Sequence, residues 1–262
     1  MSKDFERIED LIESLRRRTT SVDCSNDACL FIEIPDDWFL EAQLLLNCDP
    51  SDAIILERFK VALKHRDLIC LRSKTWLNDE VVNIYMQLAQ ERESCRSKNE
   101  NIFMSSFFYQ KLVHFNGGFN YSGVKKWTKH IDIFSSSRIF FPININRQHW
   151  VVVCVSMHNK KVQYFDSLGN DGRIISENIL RWLQLESSSR IQCNLNGFTT
   201  ESVRCPLQST GWDCGIFALA FIDLLSNNLA VDIMRQSFCD NIRKSLCFWI
   251  FRGRMVMPEF II

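Results

Sequence analysis

The chain has 262 residues, 46% of them hydrophobic, which suffices for one sizeable core or for a catalytic domain with a helical extension. Its 31 basic and 31 acidic side chains cancel, so overall charge gives no ground for a nucleic-acid or membrane partner. No apolar run approaches the ~20 residues of a spanning helix, and the opening MSKDFERIED carries no secretory h-region. The 11 cysteines form no CxxC, which argues against a zinc ribbon or a dithiol redox motif. An intracellular chain with mostly reduced cysteines is expected.

Residues 4–18 read as an amphipathic helix, with Phe5, Ile8, Leu11, Ile12 and Leu15 on one face. A polar link follows over 19–27. Residues 38–64 read as helical again, interrupted at Asp49-Pro50-Ser51. A strong helix is predicted from Asn78, a natural N-cap, with Asp79 and Glu80 in its positive first turn. Val81, Tyr85, Leu88 and Ala89 supply its buried stripe, and the polar run 93–101 ends it. Shorter helices are predicted over 106–113 and 120–129.

The pattern then turns β-rich. Segments 138–145, 150–157 and 161–165 read as three strands of one antiparallel sheet. A helix over 173–186 and a weaker strand near 198–204 follow. Cys214 opens a helix to Ser226 that is apolar almost all round and so should be buried. Residues 230–250 read as mostly helical. Helices, then strands, then helices point to an α+β fold.

Cysteine chemistry needs a thiolate, and a helix start lowers a thiol's pKa through its free N–H groups. Cys214 stands at such a start, between Gly211 and Gly215, which allow close approach. Cys70, Cys154 and Cys247 lie among apolar neighbours and read as core residues. Of the five histidines, His65, His114, His130 and His158 have polar surroundings and read as surface residues. His149 starts an apolar strand, so its ring belongs at the rim of the sheet. Asp166 ends the next strand. If the two strands form a hairpin, their far ends meet, and His149 and Asp166 become neighbours. The carboxylate would then orient the imidazole. Taken alone, Asp166 reads better as an Asx-turn residue before Ser-Leu-Gly. Gln208 lies six positions before Cys214, where an amide could reach a developing oxyanion. An isolated glutamine is ordinarily a surface residue.

Trp76-Leu77-Asn78-Asp79, Lys126-Trp127-Thr128, His149-Trp150, Asp166-Ser167-Leu168-Gly169 and Gln208 through Asp213-Cys214-Gly215-Ile216-Phe217 together resemble the Ulp/SENP peptidases, the SUMO-specific proteases. The resemblance covers about residues 55–250. It implies a papain-like α+β fold with a central, mostly antiparallel sheet flanked by helices and the catalytic order His-Asp-Gln-Cys. Residues 1–50 would be an N-terminal helical extension and linker, and 51–262 the protease domain. The resemblance implies cleavage after a Gly-Gly terminus by a monomer that needs no cofactor and no metal. By matching position, Trp76 and Trp150 would wall the diglycine tunnel. Asp79 would pair with an arginine of the modifier, and Phe107 would touch its surface. Replacing Trp150 should then cost activity and not the fold. The implied partner is SUMO or a related modifier and its conjugates, without nucleic acid or membrane, in nucleus or cytoplasm. Other readings are a protease for a Nedd-like modifier or ubiquitin, a non-catalytic modifier-binding module, and an acetyltransferase with a similar triad. Thr210 departs from the asparagine frequent in the family.

Overall fold

A computed structural model of the chain describes residues 10, 36–49, 51–95, 100–114, 118–190 and 195–255. The predicted helix over 4–18 and the link over 19–27 lie outside these residues, apart from Asp10.

The helices are α1 (Asp36–Asn47), α2 (His65–Leu68), α3 (Asp79–Ser94), α4 (Phe107–Leu112), α5 (Arg173–Arg190), α6 (Cys214–Ser226) and α7 (Cys239–Arg252). The strands are β1 (Ile54–Arg58), β2 (Val61–Lys64), β3 (Asn101–Phe103), β4 (Arg138–Ile145), β5 (His149–Ser156), β6 (Lys161–Phe165) and β7 (Thr199–Ser202). β1 and β2 form a hairpin, and the other five make one sheet in the order β3-β4-β5-β6-β7.

The predicted antiparallel trio is the middle of that sheet: β4 pairs with β5 and β5 with β6, both antiparallel. The edges are parallel additions, β3 on β4 and β7 on β6. The sheet is therefore mixed, and its two short edge strands carry little sequence signal of their own.

Alternation along β5 sends side chains to two cores. Trp150, Val152 and Cys154 join a large cluster with α6, α3, α7 and α1. Val151, Val153 and Val155 join a second cluster that includes Trp182 of α5 and Phe108 of α4. Ala42 and Leu45 of α1 are almost fully buried in the first cluster. Arg72 ties the end of α1 down by donating to the carbonyls of Leu46 and Cys48, both at 2.6 Å.

α6 lies between β5 and helices α3 and α7, and twelve of its thirteen residues are buried. A buried ion pair fixes it to α3: Arg92 Nη1 meets Asp223 Oδ1 at 2.7 Å, and Tyr85 O–H donates to the same oxygen at 2.9 Å. Such a pair holds register because breaking it leaves a charge buried without its partner.

Several expectations are corrected. Residues 54–64 are a β-hairpin, not a helix. Its turn, Phe59-Lys60, has both residues at positive φ (54° and 62°), a conformation that favours Asn-Gly and that this sequence does not announce. Residues 120–129 contain only a 3-10 turn at Tyr121–Gly123. Two 3-10 turns precede α7 in the 230–250 stretch. His65 is fully buried: its Nε2 bonds the Leu45 carbonyl at 2.8 Å, and its Nδ1 accepts from Ser51 N–H at 3.2 Å. It is a core histidine tying α1 to the hairpin. Cys154 and Cys247 are core residues as expected, whereas Cys70 is partly exposed.

Candidate active site

The β4–β5 register sets His149 opposite Ile145, at the last pair of the ladder. In the next ladder Val152 faces Phe165. One step further along, Asp166 falls opposite Val151, diagonal to His149 on one face of the sheet. The side chains meet: His149 Nε2 and Asp166 Oδ1 are 2.7 Å apart. The strand-end juxtaposition expected from the hairpin is present.

Asp166 is 3% exposed and bound on both oxygens. Oδ1 also accepts from Leu168 N–H at 2.7 Å, and Oδ2 from Asn170 Nδ2 at 2.9 Å and Tyr164 O–H at 3.2 Å. Burial raises its pKa, but the His149 bond, the Leu168 amide and Asn170 outweigh that and hold it below the usual carboxylate value of 3.8. Burial alone would lower the His149 pKa. The bond to Asp166, the neighbouring Cys214 and the charges of both lift it instead from 6.5 to about 9. The carboxylate that bonds His149 also closes its own Asx turn through the Leu168 amide.

Cys214 is the first residue of α6 and 3% exposed. With Nε2 given to Asp166, Nδ1 is the ring nitrogen that can serve the thiol. Gly215 has a packing reason: a Cβ there would stand 2.9 Å from Leu77 Cβ. The helix start thus sits hard against the Trp76-Leu77 loop. Gly211 has no such constraint, since a Cβ there would meet nothing within 4 Å.

Gln208 is held beside the Asp166 turn. Its Oε1 accepts from Ser167 Oγ at 2.6 Å, its backbone N–H donates to the Ser167 carbonyl at 2.9 Å, and its Nε2 donates to the Thr210 carbonyl at 2.6 Å. The sequence names Ser167 only within the Asp166–Gly169 segment and gives it no role of its own. Only the chain path that lays 208 against 167 gives it a role.

Residues 75–251 match the Ulp1 protease family, C-terminal catalytic domain.

The chain belongs to this family.

Sentrin-specific protease 2 of Homo sapiens is 32% identical over 229 residues, covering 82% of this chain and 38% of the human protein. Ubiquitin-like-specific protease 1A of Arabidopsis thaliana is 33% identical over 171 residues, covering 62% of this chain and 34% of that protein. The chain thus spans little more than a third of the length of these relatives. Among solved structures, the C-terminal Ulp1 protease domain in complex with Smt3, the yeast ortholog of SUMO, superposes with a TM-score of 0.74 at 24% identity, over 85% of this chain and 97% of that one. The Ulp1-like SUMO protease catalytic domain of Chaetomium thermophilum gives 0.72 at 15% identity, over 92% and 98%. These likenesses establish the α+β fold of the Ulp1 domain.

In this Ulp1-family domain the two tryptophans have unlike surroundings. Trp76 is 52% exposed, with its indole N–H on the Gly211 carbonyl at 2.8 Å. Trp150 is 3% exposed and donates to the Leu77 carbonyl at 2.9 Å. The expectation that Trp150 could be removed without harm to the fold is therefore corrected: its ring is core, and its N–H anchors the loop that presents Trp76.

Asn78 caps α3, accepting from Val81 N–H at 2.9 Å. Asp79, at the first helical position, accepts from Ser106 Oγ at 2.7 Å. The neighbouring Phe107 is 43% exposed. Ser106 thus brings Asp79 and Phe107 together on one side of the domain. Trp127, in the third matching segment, packs edge-on against Phe108 at 5.8 Å, and the adjacent Thr128 is fully buried. That segment supports α4 and stands away from the chemistry. Among the described residues, no helix is long and apolar enough to cross a membrane, and no cluster of His, Cys, Asp or Glu could hold a metal.

Proposed function

We propose that the chain is a thiol protease that cleaves after the C-terminal diglycine of SUMO, both from target lysines and from its precursor. The observation that carries this is the His149–Asp166 pair at 2.7 Å, with Cys214, at the start of a buried helix, close enough to raise the imidazole's proton affinity. A carboxylate that favours the charged imidazole makes His149 a strong base for the thiol beside it.

His149 takes the Cys214 proton. The thiolate attacks the carbonyl carbon of the terminal glycine, and the electron pair moves to the oxygen. A glutamine amide nitrogen carries two N–H groups. Gln208 spends one on Thr210, and the other, with the Cys214 backbone N–H, serves the oxyanion. Collapse expels the amine, which takes its proton from His149. Water, deprotonated by His149, then resolves the thioester to thiol and glycine carboxylate. No cofactor enters any step. Trp76, standing proud of the loop beside Gly211, is the wall that restricts the passing residues to glycine, with Trp150 beneath as its support. Asp79 and Phe107 form the surface that reads the modifier's body. The sentrin-specific names of the relatives support SUMO as that modifier, and a protease of this kind would work as a monomer in nucleus or cytoplasm.

The test uses SUMO, ubiquitin and a Nedd-like modifier, each with a C-terminal vinyl sulfone. An adduct with SUMO at Cys214, lost in Cys214→Ala while SUMO is still bound, is the expected result. Adducts only with ubiquitin or the Nedd-like protein would overturn the substrate assignment. Binding of SUMO without adduct or cleavage would leave a binding module in place of a protease.

A further inference from the structure

Asp213 occupies the N-cap position of α6, directly before Cys214, at φ −97° and ψ 6°. An aspartate there ordinarily folds its carboxylate back to accept from the N2 or N3 amide. Asp213 makes no such bond. Its Oδ1 accepts from Arg243 Nη2 at 2.7 Å, and its Oδ2 from Thr210 Oγ1 at 2.6 Å and Gln236 Nε2 at 2.7 Å. Both Asp213 and Arg243 are buried.

The same guanidinium reaches further. Arg243 Nη1 donates to the carbonyls of Cys70 and Arg72, both at 3.0 Å, and Nη2 to those of Thr75 at 2.8 Å and Trp212 at 3.4 Å. The first three belong to the segment that delivers Trp76, the fourth to the turn that delivers Cys214. One planar fork from α7 therefore grips both sides of the cleft, which an ammonium with its single point of charge cannot do.

The diversion of Asp213 has an electrostatic consequence. A carboxylate capping α6 would consume the N–H groups that face developing negative charge, and would set a like charge beside the thiolate. Bound to Arg243, Thr210 and Gln236, it does neither. The titratable and charged groups of this cluster are His149 from β5 with Asp166 behind it, Asp213 ahead of the thiol, and Cys239 and Arg243 from α7, which face Asp213.

We propose that Arg243 is a positioning residue of the reaction: it draws the Asp213 carboxylate off the first turn of α6 and, through the same guanidinium, holds the Trp76 loop against the turn that carries Cys214. This rests on the thiol-protease reading above.

The experiment compares Arg243→Gln, Arg243→Gln/Asp213→Asn and Arg243→Lys with the wild-type chain. One measurement is the pH profile of iodoacetamide alkylation at Cys214, followed by peptide mass. The other is kcat and KM on SUMO carrying a C-terminal fluorogenic amide. In Arg243→Gln the released carboxylate should move the alkylation profile up by about one pH unit. Adding Asp213→Asn should bring the profile back to the wild-type position, because the charge has gone, while catalysis stays roughly 10–100-fold low because the Trp76 loop is no longer held. Arg243→Lys keeps the charge and loses the fork: its alkylation profile should match wild type while KM rises several-fold. A folded Arg243→Gln, or an Arg243→Lys should Arg243→Gln not fold, with both the wild-type profile and wild-type kinetics would overturn the proposal. So would loss of thermal stability with no change in either readout, the signature of a merely structural residue. The alkylation arm needs no modifier, so it decides the Asp213 half even if the wild-type chain cleaves no SUMO, an outcome that would refute the protease reading alone.

Discussion

Asp166→Asn isolates the charge on the carboxylate that bonds His149 with little change of shape. The His149 pKa stands near 9 against an ordinary 6.5, a difference of about 2.5 units (9 − 6.5), or about 3 kcal/mol of preference for the charged ring. Cys214 shares in that shift, so Asp166 accounts for on the order of 1–2 kcal/mol. A histidine whose folded pKa lies above its unfolded value stabilises the fold in full below pH ~6.5, and the contribution fades as pH rises through about 9. Asp166, held below 3.8, contributes above that pH, and its share is lost as pH falls through its folded value. The two statements describe one ion pair, which is therefore strongest between about pH 4.5 and 6.5. Thermal unfolding of wild type and Asp166→Asn should differ by roughly 3–6 °C more at pH 5.5 than at pH 10. Alkylation of Cys214 at pH 6–7 should slow, and kcat should fall on the order of 10²-fold or more as His149 loses its anchor. A melting-temperature gap that stays constant from pH 5.5 to pH 10 would refute the argument that Asp166 acts by holding His149 cationic.

Trp150→Ala empties a buried site and should cost about 3–5 kcal/mol, seen by denaturant unfolding. Trp76→Ala should leave unfolding within about 1 kcal/mol of wild type while cleavage of a diglycine substrate drops sharply; equal effects of the two replacements on stability would contradict their different burial. Gln208→Ala should lower kcat by about 10²–10³ with SUMO binding retained, and a rate within a few-fold of wild type would remove Gln208 from the oxyanion site. Gly215→Ala drives a methyl against Leu77, so a cost of about 1–3 kcal/mol and a slower Cys214 are expected, both measurable on purified protein; an unchanged melting temperature would mean that the loop yields freely.

The central hairpin was legible because apolar strands of eight and five residues separated by a short turn leave one register, and with it one meeting of His149 and Asp166. The N-cap at Asn78 was legible because capping is local. The first hairpin was not: Phe59 and Lys60 adopt positive φ without glycine or asparagine, so the apolar pattern of 54–63 read as helix. His65 looked polar by its neighbours and is buried only because α1 and the hairpin close over it. Trp150 matched a tunnel position, yet its depth depends on the helices packed above β5.

By itself the sequence determined the α+β class, the buried helix that Cys214 opens and the meeting of His149 with Asp166 at the strand ends, because periodicity, capping and hairpin geometry act over a few residues, whereas Gln208 entered only through the family resemblance. Tertiary structure alone decided the rest: that Ser167 holds Gln208, that Trp76 is exposed while Trp150 is core, and that Arg243 draws Asp213 away from the helix it was placed to cap. Those contacts join residues 30 to 135 positions apart. The energy of burying a charge or an indole is fixed by what packs around it in space, which no local pattern encodes.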